Sequence, residues 1–496
     1  MPETDKGIYR FTGTEISLRR IINIMTEYHC IILGAGPAGL GAATELARHG
    51  VNNILIIDRN KYIGGLSRTE VFDGTKFDIG PHRFFTKNKE INELWHKTLG
   101  EEFIPVKRLT RIYYKNKFFN YPIKPFDVAF KLGAIELFQA FCSYVYARTN
   151  KNSNPETFED WIVQKFGWKL YKTFFKTYTE KVWGIPCNQI GAEWAAQRIK
   201  GLDIIEILKN ALSIGKGKVK TLVEEFNYPA NGAGQMYETM YENIMKQADI
   251  MLQTEVLSLN RRDYTIESVD ILRSGEKINI KGSYFFSTIP LPHFFKLLNP
   301  PLEEEEIKKA VQALYYRDHI TVNLLSDREK LFPDQWIYIH SPEVSMARLA
   351  NYSNFSKAMV NYKKKSALSV EYFVFKEDEL WNKTDEELKK LALEELVTLK
   401  LICEDSVEHS WVIRETESYP TYYLGFKEPY NRLQKEINKF ENIQPAGRGG
   451  MYKYNNQDHS LLSGLMAARN YLNLPGSPYN LWDINIDAEY HEERRA

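Results

Sequence analysis

An α/β fold is predicted for this chain, built on a Rossmann-like dinucleotide-binding core that the chain leaves and re-enters. Three observations predict it. Residues 30–50, "CIILGAGPAGLGAATELARHG", set three glycines between an apolar run and a helical one. "NNILIIDRN" follows directly as a second strand, which completes a β-α-β unit. The remaining sequence falls into blocks, mainly helical from about 90 to 215 and β-type between 249 and 290 and between 316 and 376, with no internal repeat.

Each element has a local reason. Residues 29–58 alternate strand, helix and strand, with Leu40, Ala43, Leu46 and Ala47 on one helix face. Helical segments are expected near 125–148, 155–182 and 190–215, and "FDVAFKLGAIELFQAFCSYVYAR" reads as a buried helix because Lys131 and Glu136 interrupt it too often for a membrane span. Short β-type runs follow in "ADIMLQTEVLSLN", "SVDILRS" and "GSYFFSTIPL", then "HITVNLL", "WIYIH" and "SVEYFVF". A charged amphipathic helix is expected at 385–402. The last helix begins near Asp458, with Asp458 or Ser460 as its cap.

Composition narrows the classes. With 496 residues there is room for roughly two to four domains at ~150 residues each. A formal net charge of +1 supplies no long-range field, which argues against nucleic acid as a partner. Cys30, Cys142, Cys187 and Cys403 are scattered and form no CxxC pair, so neither a metal site nor a disulfide framework is indicated. That pattern, with no signal peptide in the first two dozen residues, suits a reducing, cytoplasmic setting. No oligomeric state can be read from the sequence.

The glycines point to a phosphate. Gly34 makes the tight turn, Gly36 lets the backbone approach a pyrophosphate, and Gly39 lets helix and strand pack closely. Pro37 and Ala38 open the helix, whose N-terminus offers free N–H groups and a positive dipole end. Asp58 ends the second strand where an acid would bind ribose hydroxyls, with Arg59 beside it. Chance would produce roughly 0.1–0.2 matches to GxGxxG in a chain of this length, without the flanking strand, helix and acid. Six residues past Asp58 comes "GGLSRT", in which Gly64, Gly65, Leu66 and Ser67 form a second close backbone approach. An extended cofactor such as FAD suits two approaches better than NAD, and "NGAGQMYE" does not supply a separate NAD(P)H site.

Here a family resemblance enters. "GAGPAGL", "IIDRN" and "GGLSRT" resemble the FAD-binding start of the amine oxidase, protoporphyrinogen oxidase and UDP-galactopyranose mutase superfamily. "FDIGPHRFFTKNKEI", "TFEDWIVQKFG", "YTEKVWGIP", "ARLANYSN" and "AGRGGMYKYNNQDHSLLSGL" are similar, in order, to segments of the mutases. The likeness runs over about residues 26–475. Pro81 departs from it, standing where the mutases carry Gly or Ala, and "YKYNNQDHS" differs in length.

The resemblance implies a domain plan: an N-terminal extension at 1–25, FAD-binding core at 26–90, an inserted helical domain at 91–220, more FAD-binding core at 221–300, an antiparallel β-sheet substrate domain at 301–430, and a closing FAD-binding part at 431–496. It also implies site residues. Arg198, Arg348 and Arg448 match arginines facing a substrate diphosphate or the flavin, a role that suits planar bidentate guanidinium groups. His82 matches a histidine lying against the flavin, and Trp183, Tyr316, Tyr419 and Tyr454 match aromatics lining the pocket. Arg448, Asn456, Gln457, Asp458, His459 and Ser460 fall in the closing flavin motif, where a helix N-terminus would favour a reduced, anionic flavin.

The activity so implied is that of a flavoenzyme on a nucleotide-diphosphate sugar. Reduced flavin N5 serves as nucleophile in a pyranose/furanose interconversion or related sugar chemistry, and NAD(P)H is a candidate external reductant. The alternative is an FAD-dependent oxidoreductase of the amine oxidase or protoporphyrinogen oxidase type, taking hydride from an amine, a porphyrinogen or a sugar carbon. A non-catalytic reading, as in escort proteins for prenylated GTPases of this fold, is disfavoured by the intact "GAGPAGL", "GGLSRT" and "GRGG" motifs.

Overall fold

A computed structural model describes residues 27–121, 125–150, 154–192 and 225–485. The expected N-terminal extension, Arg198 and most of the helix expected at 190–215 lie outside the described residues.

The β-α-β unit forms from strand Glu27–Leu33, helix Pro37–Arg48 and strand Ile54–Ile57. Alternation decides its packing. Cys30, Ile32, Ile54 and Ile56 pack on one face with Leu40, Ala43 and Leu46 of the helix. Ile31, Leu33, Leu55 and Ile57 pack on the other, with Leu291, Phe294, Val311 and Leu433. A central sheet strand buried on both sides reads as a continuous apolar run for this reason. The eight-stranded sheet runs from Leu298–Asn299 through Thr254–Arg262, Thr265–Arg273 and Glu276–Ser287 to Glu27–Leu33, Ile54–Ile57 and Ala248–Met251, with Ile443–Pro445 added beside Glu276–Ser287. Pairings around Glu27–Leu33 are parallel; the 254–287 meander is antiparallel.

Helix Gln457–Tyr471 crosses helix Pro37–Arg48 at very short range. A Cβ on Gly464 would lie 1.9 Å from Ala38 O, so only glycine permits the crossing.

A second, seven-stranded sheet is ordered Val407–Pro420, Tyr316–Ser326, Ser366–Val374, Arg348–Asn351, Trp336–Ile339, Thr110–Tyr114 and Lys117–Asn120. It is antiparallel except where Trp336–Ile339 runs parallel to Thr110–Tyr114. Here the structure differs from the sequence expectation. Residues 103–120 are not helical but form three strands, two of which extend this sheet; Phe103–Lys107 pairs instead with Glu225–Pro229. Those strands are four or five residues long, too short for a period to separate them from helix turns.

The segment expected as one buried helix is two, Pro125–Leu132 and Ala134–Thr149, broken at Gly133, whose φ of 88° no helix accommodates. Its apolar residues are largely exposed, among them Ile135, Phe138 and Phe141. The helix expected at 385–402 stops at Thr398, and it is capped by a reciprocal Thr384–Glu387 box.

Candidate cofactor and substrate site

A cavity of about 970 Å³ runs between the two large sheets. It is lined by Gly34, Gly36, Pro37, Ala38, Asp58 and Arg59 of the first β-α-β unit and also by Arg348, Arg448 and Tyr454. The turn at its floor is built for an outside group. Gly36 is the N-cap of helix Pro37–Arg48 with extended backbone (φ −80°, ψ −176°), a conformation open to any residue. A Cβ there would approach protein no closer than 3.8 Å. Glycine at 36 therefore leaves a cradle that the fold itself does not fill. Gly39 serves packing instead: its Cβ would lie 1.9 Å from Gly34 O, and it does not line the cavity.

The second glycine turn faces the first. Gly64 donates its N–H to Ala35 O at 2.9 Å, and Gly65, Leu66 and Ser67 line the cavity opposite Gly36. Gly64 itself, at φ 112°, makes the bend behind them. Asp58 accepts from the amides of Ala35 and Asn60, each at 2.7 Å. Burial pushes its carboxyl above the ordinary range, against the pull of the Asn60 and Ala35 amides. Arg59 stands on the rim, donating to Thr416 Oγ1 at 3.0 Å.

Arg68, the last charged residue of "GGLSRT", ties this turn to the second sheet. Its Nη1 donates to Gly65 O at 3.1 Å, its Nε to Glu70 at 2.7 Å, and its Nη2 lies 2.5 Å from Glu415. Burial works against this charge, but Glu415 and Glu70 outweigh it and raise its pKa. Arg68, Glu70 and Glu415 carry no expected role from sequence. The arginine was visible in the motif; its partner, on another sheet, was not.

His82 lines the cavity and its Nε2 faces two carbonyl oxygens, Leu66 O at 2.8 Å and Ile79 O at 3.1 Å. Nε2 therefore holds the proton, leaving Nδ1 as an acceptor. Burial, reinforced by the cations Arg448 and Arg348, lowers its pKa to about 4, so the imidazole is neutral near pH 7. His319, behind the same cations, is lowered to about 3 by burial, Arg348, Arg68 and Arg448.

Arg348 and Arg448 meet around Tyr419. Arg348 Nη2 donates to the Tyr419 hydroxyl at 3.4 Å and lies 2.5 Å from Glu371 Oε2, while Arg448 sits 4.8 Å above the Tyr419 ring and 5.1 Å from that of Tyr454. Arg448 otherwise reaches the carbonyls of Asn455 at 2.9 Å and Ser418 at 3.1 Å. Trp183, Tyr419 and Tyr454 border a smaller adjoining pocket with Tyr178 and Arg348. Tyr316 lies elsewhere: it is buried, lines neither pocket, donates to Gly449 O at 2.8 Å and accepts from the Leu291 amide at 3.3 Å.

The closing motif is only partly directed at the cavity. Asn456, Gln457, Asp458 and Ser460 line it. Asn456, rather than Asp458 or Ser460, is the N-cap of helix Gln457–Tyr471. The Asn456 amide donates to His459 Nδ1 at 3.4 Å, so His459 closes the cap and does not line the cavity. Gln457 bridges Tyr237 and Arg83 O, at 2.9 Å each, which fixes the helix start against the rest of the wall.

The residues fit FAD. The Gly36 cradle and the helix N-terminus suit its pyrophosphate, Asp58 suits its ribose, and one cavity holds them together with the second glycine turn.

Comparisons with known proteins agree with this geometry. A family model described as flavin-containing amine oxidoreductase matches residues 37–472. A probable UDP-galactopyranose mutase of Klebsiella pneumoniae is 30% identical over 179 residues, 34% of this chain and 44% of that protein. A dTDP-fucopyranose mutase of Escherichia coli is 27% identical over 166 residues, 33% of this chain and 43% of that one. The matched region thus spans less than half of these curated relatives. Among solved structures, a reduced UDP-galactopyranose mutase superposes with a TM-score of 0.79 at 20% identity, covering 93% of this chain and 98% of that one. A putative protoporphyrinogen oxidase from Exiguobacterium sp. 255-15 gives a TM-score of 0.67 at 16% identity, covering 90% and 98%. These likenesses establish the shared fold.

Proposed function

The chain belongs to the flavin-containing amine oxidoreductase family, with FAD as its cofactor, and from that premise we propose that it is a mutase-like enzyme acting on a nucleotide-diphosphate sugar. The observation that carries the reading is the pair of guanidinium groups sharing Tyr419 in the same cavity as the dinucleotide turn. Beside imidazoles kept neutral, Arg448 and the Glu371-paired Arg348 offer planar bidentate donors suited to a diphosphate.

Bound and reduced FAD supplies a nucleophilic N5. The chain's own residues do the rest. Arg348 and Arg448 bind the diphosphate and hold its charge as it leaves the sugar, which lowers the barrier to breaking that bond. The phenol of Tyr419 fixes the spacing of the two cations, and Tyr454 and Trp183 wall the sugar from water. His82, protonated on Nε2 only, offers Nδ1 to a hydroxyl or N–H donor without adding charge. The match to two sugar-nucleotide mutases, one acting on a UDP sugar and one on a dTDP sugar by their names, supports this substrate class over an amine.

The test is turnover of UDP-galactopyranose and dTDP-fucopyranose by the FAD-loaded protein with and without dithionite. Ring-contracted product is expected only after reduction, with Arg448→Ala lowering kcat/KM by about 10²–10³. Hydrogen peroxide formation with an amine or a porphyrinogen, and no change in any nucleotide sugar, would replace this reading with the oxidoreductase one.

A further inference from the structure

Lys181, the second lysine-rich motif's central cation in "YTEKVWGIP", has no part in the site described above. It sits on helix Thr177–Trp183, from which Tyr178, Thr179, Val182 and Trp183 wall the small pocket beside Arg348. Lys181 itself lines neither pocket. Its amine reaches instead into the segment that joins strand Trp336–Ile339 to strand Arg348–Asn351. There Nζ donates to Ser341 O at 2.7 Å, Met346 O at 2.9 Å and Ile339 O at 3.4 Å. An ammonium has three N–H donors, and three carbonyls of buried residues meet them. A neutral amine has one donor fewer, so loss of the proton leaves one of these carbonyls unserved. The segment has further anchors. Glu395, on helix Asp385–Thr398, accepts from the amides of Ser345 and Met346, and the His340 ring stacks on Tyr178 at 4.8 Å. The Ile339 amide donates to Ala347 O at 2.8 Å, one residue before Arg348. Arg348 thus follows directly on a turn that Lys181, Glu395 and His340 hold in place.

We propose that Lys181 is a positioning residue: its protonated amine locks the Trp183-bearing helix to the turn that delivers Arg348, and loss of that proton loosens the grip on a diphosphate. The inference rests on the nucleotide-sugar reading above and adds to it a regulation by pH. A purely structural lysine is the rival. Burying an ammonium is costly, and an apolar side chain would pack this helix without that cost. What the charge adds is geometry, because it fixes one arrangement of three carbonyls between two walls of the same pocket. The groups that face it are few. Glu395, its own pKa raised by burial, and Glu343 favour the protonated amine. His340 is neutral near pH 7, and Tyr178 and Tyr372 are kept neutral by burial. Burial outweighs the two glutamates and lowers the Lys181 pKa to about 8, within reach of a binding titration.

The test is calorimetric titration of the oxidised, FAD-loaded full chain with UDP, from about pH 7 to about pH 9.5. The last phosphate proton of UDP is lost at about pH 6, below this window. Affinity should fall about tenfold as pH rises through about 8. Lys181→Met should bind UDP about tenfold more weakly at pH 7, with no alkaline limb and unchanged FAD content. Lys453 is the control, since it lines the cavity and burial lowers its pKa to about 8 as well. Lys453→Met should keep the limb. If Lys181→Met does not fold, wild type and Lys453→Met still decide: a limb lost with Lys453 overturns the proposal, and one retained supports it. A flat wild-type profile overturns it, as does a folded Lys181→Met that binds UDP like wild type, and both leave the substrate reading standing. Wild type that binds neither UDP nor dTDP removes the substrate reading, and this inference with it.

Discussion

Arg348 Nη2 stands 2.5 Å from Glu371 Oε2, and the glutamate is fully buried on the neighbouring strand of the seven-stranded sheet. Glu371 orients the cation, and the same Nη2 also donates to the Tyr419 hydroxyl at 3.4 Å while the side chain lines the cavity. Burial raises the Glu371 pKa, and Arg348 opposes that rise. Removing the carboxylate strands a buried positive charge. Glu371→Ala should therefore lower unfolding free energy by about 3–5 kcal/mol in urea titrations, and Glu371→Gln, which keeps an acceptor oxygen, by less.

Two glycines of one motif should fail in different ways. Gly36→Val should fold, with native circular dichroism, and come off the column without FAD, because its Cβ enters the cradle no closer than 3.8 Å to protein. Gly39→Val should not fold, since its Cβ would overlap Gly34 O. Absorbance at the flavin maximum against protein content separates the two.

Tyr316→Phe should keep FAD and lose stability. The change strips a partner from Gly449 O and from the Leu291 amide, both held by the Tyr316 hydroxyl, at a cost of about 1–3 kcal/mol. Loss of FAD from a stably folded Tyr316→Phe protein would put this ring in the site after all.

His340, stacked on Tyr178 at 4.8 Å, has its pKa lowered to about 3, chiefly by burial and then by Lys181. Its folded value lies below the ordinary 6.5, so between those values the unfolded chain holds a proton that the folded chain does not. The resulting stability is present above pH 6.5 and is lost as pH falls. Comparing unfolding free energies of wild type and His340→Gln from pH 7 to 5 should show the wild-type advantage shrinking by up to about 1.4 kcal/mol per pH unit.

What could be read from the sequence was what lies close along the chain. Gly34, Gly36 and Asp58 belong to one supersecondary unit, and its spacing fixes their relation before any tertiary contact forms. Arg348 and Arg448 were found by motif, and the structure brings both to one cavity. Glu371 and Glu415 were missed because sheet pairing sets their partnership with Arg348 and Arg68, and nothing near them in sequence announces it. Tyr316 was assigned to the pocket by resemblance, while its hydroxyl is spent on backbone. The apolar face of helix Ala134–Thr149 read as core because periodicity reports amphipathicity without saying what covers the greasy side.

The crossing of Gly464 over Ala38 has a consequence for biosynthesis. The floor of the cofactor site is translated well before the helix clamped over it, Pro37–Arg48 ahead of Gln457–Tyr471. A nascent polypeptide on the ribosome thus carries a phosphate turn with no roof, and a message broken anywhere before codon 464 yields protein that stays colourless.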